Sequence, residues 1–165
     1  MKIQVGGLSE GLHNFHLEAP AAELELGESF PAMVTVDVQI DKAGHQLILV
    51  GTVNTVRAFE CDRCAAPFSR PLAGKYRMSY VQDGRETLEL DPSEVQILPP
   101  GMNVVDIADD VRQIVLLSVP LKALCKLDCK GLCQRCGANL NETQCTCSDT
   151  TVDHRWDKLR SLPRN

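Results

Sequence analysis

Val34, Val36, Val38 and Ile40 alternate with Thr35, Asp37 and Gln39, the period of two that makes a half-buried strand. Asp41, Lys42, Ala43 and Gly44 supply turn chemistry, and a second β-rich run covers residues 46–60. Leu47, Leu49, Gly51 and Val53 share one face of it. The apolar phase then slips to Val56 and Ala58, which predicts a bulge near Asn54 or burial on both faces. This long strand runs into Cys61, Asp62, Arg63 and Cys64. Pro67 and Pro71 then turn the chain into a third alternating strand, with Tyr76, Met78 and Tyr80 set against Lys75, Arg77 and Ser79. A cysteine pair therefore belongs at the tip of a hairpin.

The flanks are less sharply patterned. Ile3 and Val5 alternate before Gly6 and Gly7 break the run, and Pro20 and Pro31 bracket a short strand expected at residues 22–26. Further strands are expected at 87–90 and 94–98, ahead of the punctuation at Pro99, Pro100 and Gly101. Asn103 then caps a helix, with Asp106 in a capping-box position. Val104, Ile107, Ala108, Val111, Ile114, Val115 and Ser118 line one face at helical spacing, and Pro120 ends the element. Val152, Trp156 and Leu159 mark a short terminal helix. These elements predict an α+β fold: an antiparallel β-rich domain with one main helix near 104–118 over residues 1–120, then a cysteine-rich module with a short helix over 121–165.

Cysteine changes the picture most. Six of the eight cysteines lie at Cys125, Cys129, Cys133, Cys136, Cys145 and Cys147; Cys61 and Cys64 complete the set. Thiolates gathered by short spacers suit a soft tetrahedral cation, and four close a structural zinc site. Disulfides need an oxidising compartment, whereas the first residues show no apolar run followed by a small-residue cleavage site. The expectation is therefore a reducing, cytoplasmic setting and Zn2+ at one or two four-cysteine sites. Cys133 and Cys136 resemble a zinc knuckle, with Gly137 where the turn wants positive φ. Two partitions of the thiols are open. The favoured one groups Cys133, Cys136, Cys145 and Cys147, leaving Cys125 and Cys129 to join Cys61 and Cys64. The rival groups Cys125, Cys129, Cys133 and Cys136. His13 and His16 also invite a metal reading, but no other ligand stands near them in sequence.

Charge is uneven around a net value of -5. Residues 57–77 hold Arg57, Arg63, Arg70, Lys75 and Arg77 against Glu60 and Asp62, and residues 83–110 hold eight Asp/Glu against Arg85 alone. The acidic total argues against simple electrostatic binding of nucleic acid, while the basic block beside the cysteines argues for it. The longest apolar stretch, 111–119, carries Arg112 and Gln113 and falls short of the roughly eighteen residues of a membrane span. Closed four-thiolate sites leave no open coordination position, and there is no H-E-x-x-H, G-x-S-x-G or phosphate-binding glycine loop. No enzyme and no small-molecule substrate are expected. A thiol oxidoreductase built on Cys61 and Cys64 is a third reading, without the βαβ context such chemistry uses.

Phe59 to Cys64 with Pro67 and Phe68, the run from Val119 to Cys125, the run from Asp128 to Asn141, and Asp153 to Leu159 together resemble the YceD family. These are bacterial and plastid proteins linked to accumulation of large-subunit ribosomal RNA. The resemblance covers roughly residues 33–162, and the second cysteine cluster is its specific part. It implies a non-enzymatic factor in ribosome biogenesis that supports 23S rRNA levels. It also implies that the C-terminal cluster is a separable module, since some members keep the first pair and lose most of it. Two partners stay open. Large-subunit rRNA would meet the basic residues Arg57, Arg63, Arg70, Lys75, Arg77, Lys126, Lys130 and Arg135. A basic large-subunit ribosomal protein would instead be held, chaperone-fashion, by the acidic segment 83–110.

Overall fold

The computed structural model describes residues 1–81, 95–99 and 101–147. Strands β1 (Lys2–Gln4), β2 (Gly11–Pro20), β3 (Met33–Ala43), β4 (Gln46–Glu60), β5 (Pro67–Val81), β6 (Val95–Ile97) and β7 (Val104–Asp106) precede one helix, α1 (Ala108–Leu117). Strands β2 to β6 form a five-stranded sheet in chain order, antiparallel except that β6 runs parallel to β5. Strands β1 and β7 make a separate antiparallel ribbon. The architecture is thus mainly antiparallel β with one α-helix among the described residues.

One face of the sheet is the core. Val34, Val36, Val38 and Ile40 of β3 meet Leu47, Leu49 and Val53 of β4 and Leu72, Tyr76 and Tyr80 of β5. The ribbon, through Ile3 and Val105, and α1, through Val111 and Val115, cover this face, each side chain almost wholly buried. Burial of each such aliphatic side chain contributes about 1.5–3 kcal/mol. The helix sits directly on the β5 backbone at Gly74, where a Cβ would stand 2.3 Å from Ile114 Cγ2. A larger residue there would lift α1 from the sheet.

Several sequence expectations are corrected. The helix does not begin at residue 104, because Val104, Val105 and Asp106 pair with Gln4, Ile3 and Lys2. Strand pairing with a distant segment outweighs local helical spacing. Asn103 is therefore no cap; Asp106 Oδ1 accepts from the Ala108 amide at 3.1 Å, and Asp109 and Asp110 favour the helix dipole in the first turn. The strand expected at 22–26 is instead a turn of 3-10 helix, Ala21–Leu24. No bulge interrupts β4, whose register with β5 is unbroken from Gln46 opposite Val81 to Glu60 opposite Pro67. Its inner face simply continues through polar side chains: Thr55 is buried and donates to the Met33 carbonyl at 3.3 Å, and Arg57 follows.

Strand β2 has no counterpart in the sequence reading. His13 on its core-facing side and Leu12 on its solvent side hide the alternation that Phe15, Leu17 and Ala19 carry. Both histidines have partners: His16 lies between Asp37 Oδ1 (2.7 Å) and Glu18 Oε1 (3.2 Å), and His13 Nε2 meets the Ser9 carbonyl (2.9 Å). These two carboxylates raise the His16 pKa, Asp37 foremost. Strand β5 starts at Pro67, earlier than the prolines suggested. Its neighbour β6 reaches only Ser79 to Val81, so Pro67 and Pro71 lie on an edge where a missing amide costs little. The strand expected at 94–98 appears as β6, parallel rather than antiparallel, after a connection long enough for a crossover. The strand expected at 87–90 and the terminal helix around Trp156 lie outside the described residues.

Candidate metal centres on the hairpin tip

Strands β4 and β5 run out beyond the core, and their connecting turn presents Cys61 and Cys64. The Cys61 amide donates to the Ala66 carbonyl (3.0 Å), and the Ala65 amide donates back to the Cys61 carbonyl (2.9 Å). The same pair of bonds recurs at Cys133, to Ala138 (2.8 Å) and from Gly137 (2.9 Å). The turn needs positive φ at its fifth residue: Gly137 takes 72° freely, as its sequence position suggests, and Ala65 takes 55°. For a residue with a Cβ that conformation costs about 1–2 kcal/mol, so the first turn is held against local preference by what surrounds it.

What surrounds it is the segment 123–132. Asp62 binds Ala123 twice, amide to carbonyl at 2.9 Å and carboxylate from amide at 2.6 Å. Arg63 Nη1 donates to the Cys129 carbonyl (2.8 Å), and the Arg63 carbonyl accepts from Leu132 (3.0 Å). Arg70 Nη2 donates to the Leu124 carbonyl (2.7 Å). These contacts bring Cys125 and Cys129 to the hairpin. The eight sulfurs fall into two groups: an inner one of Cys61, Cys64, Cys125 and Cys129, and an outer one of Cys133, Cys136, Cys145 and Cys147, each with its sulfurs within 4.8 Å of one another. This grouping has the membership of the favoured partition.

The donor set fits a tetrahedral soft cation. Zn–S bonds of about 2.3 Å place ligand sulfurs about 3.8 Å apart. In the inner group Cys61 and Cys129 lie 3.8 Å apart, and Cys64 and Cys125 3.7 Å. The outer group is tighter, 3.5 Å from Cys136 to Cys145 and 3.3 Å from Cys145 to Cys133. All eight are free thiols. The inner group is largely buried, against Ala66, Phe68 and Leu124, while Cys136 and Cys147 of the outer group are exposed.

Electrostatics point the same way. The Cys125 amide donates to Cys61 Sγ at 3.4 Å and, with the Arg63 and Cys64 amides, brings that thiol down to about 6. The amides of Cys136 and Arg135 bring Cys133 down to about 6. Burial, together with the neighbouring sulfurs of Cys61, Cys129 and Cys64, pushes Cys125 up to about 12. Hydrogen bonds with Cys145 and Cys136 push Cys147 up to about 12. Within each group backbone amides thus hold one thiol down while burial and neighbouring sulfurs push another up, and four thiolates at such distances would repel one another. A divalent cation relieves that repulsion.

The basic residues singled out in the sequence do not form one face. Arg57 and Arg70 stand opposite each other on the inner face of β4 and β5, whereas Lys75 and Arg77 project from the outer face. The Arg57 guanidinium packs over Phe30 (5.4 Å) and Phe59 (4.9 Å), and Arg70 over Phe68 (5.5 Å). Phe59 and Phe68 stack on each other at 5.5 Å. Arg57 and Arg70 are therefore packing residues that carry the hairpin outward. Arg57→Gln is expected to lower stability by about 1–3 kcal/mol, and Arg77→Gln by no more than about 0.5 kcal/mol; chemical denaturation of both variants measures the contrast. Lys126, Lys130 and Arg135 are exposed on the cysteine-bearing segment, and Arg63 is exposed at the turn. Of the acidic block, residues 83–94 lie outside the described residues, and Asp110 accepts from Tyr80 Oη at 3.4 Å.

Asp62, Asn139 and Asn141 have roles that residue type and spacing do not announce. Asn139 and Asn141 sit in the loop between Cys136 and Cys145, and Asn141 Nδ2 donates to Cys129 Sγ at 3.4 Å. Only folding brings that amide to the other sulfur group.

A twisted sheet whose longest hairpin ends in paired four-thiol groups defines a β-protein built around candidate structural metal centres. The chain belongs to the YceD family: the family model for large ribosomal RNA subunit accumulation protein YceD matches residues 49–163. It is 30% identical over 149 residues to the chloroplastic large ribosomal RNA subunit accumulation protein YCED homolog 1 of Zea mays, covering 74% of this chain and 50% of the relative. The Arabidopsis thaliana homolog 1 is 27% identical over 157 residues, covering 80% of this chain and 48% of the relative. An uncharacterized protein of Mycobacterium tuberculosis is 26% identical over 137 residues, covering 78% and 61%. The chain spans about half the length of the plant relatives. No solved structure matches it. No helix among the described residues is long and apolar enough to cross a membrane.

Proposed function

We propose that this protein is a non-enzymatic, cytoplasmic zinc-binding factor of large ribosomal subunit biogenesis that supports accumulation of 23S rRNA. Membership of the YceD family carries the ribosomal part of this reading. The two four-sulfur groups carry the zinc part, each Cys-x-x-Cys turn acting as a zinc knuckle. Bound zinc would be held by Cys61, Cys64, Cys125 and Cys129 inside, and by Cys133, Cys136, Cys145 and Cys147 outside. It would neutralise thiolate charge and hold residues 121–147 on the hairpin. With all four ligands from protein, the sites serve structure rather than turnover.

The RNA-facing surface in this proposal is the cysteine-bearing module. Lys126, Lys130 and Arg135 are exposed there, beside Arg63 of the hairpin turn, whose guanidinium also holds the Cys129 carbonyl, whereas Arg57 and Arg70 are committed to packing. Leu121 and Leu127 on the same segment stand fully in solvent, as residues at a contact surface do. Each Lys or Arg that meets a phosphate releases counterions, so affinity for an rRNA fragment should fall steeply with salt. Replacing Lys126, Lys130 and Arg135 with Gln is expected to reduce the log–log salt slope by about 2–3 units with folding unchanged. Fluorescence titrations of large-subunit rRNA fragments at several salt concentrations measure the slope. An unaltered slope removes the RNA-contact reading. Loss of binding to a basic large-subunit ribosomal protein when Asp83, Glu86, Glu89 and Glu94 are neutralised would favour the chaperone alternative instead.

A further inference from the structure

Only three residues, Lys130, Gly131 and Leu132, separate the inner ligand Cys129 from the outer ligand Cys133. A second link runs through Asn141, near the middle of the loop that joins Cys136 to Cys145. Its side-chain oxygen accepts from the Lys130 amide at 2.9 Å. That amide can only donate, which fixes the orientation of the carboxamide and turns Nδ2 toward Cys129 Sγ, 3.4 Å away. The remaining Nδ2 hydrogen goes to Asn139 Oδ1 at 2.8 Å, and the Leu140 amide donates to the Gly131 carbonyl at 2.9 Å. The carboxamide is therefore held at three points, and its position depends on the loop that carries it.

Both ends of that loop are sulfurs of the outer group. A cation there pins Cys136 to Cys145, closing the loop and setting Asn141 against the inner group. Without one, the closure entropy and the repulsion of the outer sulfurs oppose the same geometry. A hydrogen bond into a ligating sulfur steadies the ligand and strengthens a site.

We infer that the two metal sites are positively coupled, with Asn141 as the positioning residue through which occupancy of the outer site tightens the inner one. This rests on the zinc reading above. Coupling of this kind is reciprocal, so a filled inner site also favours filling of the outer one.

The test uses the full-length chain, with Zn2+ competed against a chromophoric chelator and with Co2+ as a spectroscopic probe. The inner step is assigned by comparison with Cys61→Ser/Cys64→Ser, which lacks the inner group. Opening the outer site with Cys136→Ser/Cys145→Ser is expected to weaken the inner site about tenfold or more, the worth of a hydrogen bond to a charged group. Asn141→Ala should weaken it comparably while still binding two metals at saturation. Adding Asn141→Ala to the opened variant should cause no further loss. The sulfur-to-cobalt charge-transfer band of the inner site should move to lower energy in each variant, because the sulfur lone pairs lose their N–H donor. Unchanged inner affinity and an unmoved band in Asn141→Ala, beside a wild type that binds two metals, overturn the coupling and leave the zinc reading standing. A wild type that binds no metal overturns both.

Discussion

Replacing Cys61 and Cys64 with Ser is expected to remove one of two zinc ions per chain and to free the segment after Pro120 from the hairpin, leaving the sheet folded. The segment is held by five hydrogen bonds to Asp62, Arg63 and Arg70. At about 0.5–1.5 kcal/mol each, these do not offset the ordering of residues 121–132, which costs about 1–2 kcal/mol per residue. A structural zinc site contributes about 10–16 kcal/mol in small metal-folded peptides, enough to reverse that balance. Lys122, Lys126 and Lys130 are exposed on the segment, so trypsin reads its release directly. Metal analysis should fall to one zinc per chain, with faster cleavage at these lysines and an unchanged β-sheet circular dichroism signal. Two zinc ions retained, or no change in cleavage, would refute the clamp.

Leu49→Ala should give the converse result. Leu49 is fully buried near the start of β4, opposite Met78 and Ile40 on the neighbouring strands. Truncation leaves a cavity and is expected to cost about 2–5 kcal/mol, lowering the melting temperature by roughly 5–15 °C. Zinc content under folding conditions should stay at two per chain, because the sulfur groups lie beyond the hairpin's core end. Thermal melts with parallel metal analysis check both halves. If Leu49→Ala loses zinc while folded, the proposed division between residues 1–120 and 121–165 fails.

The paired result would have a structural cause. The hairpin is continuous from the core to the first cysteine turn, but the core uses aliphatic burial and the tip uses hydrogen bonds and a buried cluster of thiols. Arg57 and Arg70 mark the transition between the two regimes, stacked on Phe30, Phe59 and Phe68. They extend the hairpin's inner face beyond the aliphatic core residues Val53 and Leu72. Their placement also divides the basic block seen in the sequence between the two faces of the hairpin.

The amino-acid sequence by itself determined the features that depend on local chemistry. Period-two alternation marked β3 and β4 because a sheet with one buried face demands it. The spacing of Cys61 and Cys64, and of Cys133 and Cys136 with Gly137, marked the two turns because a tight thiol claw has few backbone solutions. Short spacers also favoured the separation of an inner from an outer sulfur group. Tertiary structure alone decided what depends on distant partners. Pairing with β1 made residues 104–106 a strand, since a ladder supplied by residues 2–4 outweighs helical spacing. Pairing with β3 made residues 11–20 a strand although His13 and Leu12 disguise the pattern. Strand parity placed Arg57 and Arg70 on the face opposite Lys75 and Arg77, a distinction invisible in a list of charges. Asn141 reached Cys129 only because the loop folds back across twelve residues, and a hydrogen bond of that kind leaves no periodic trace in the chain.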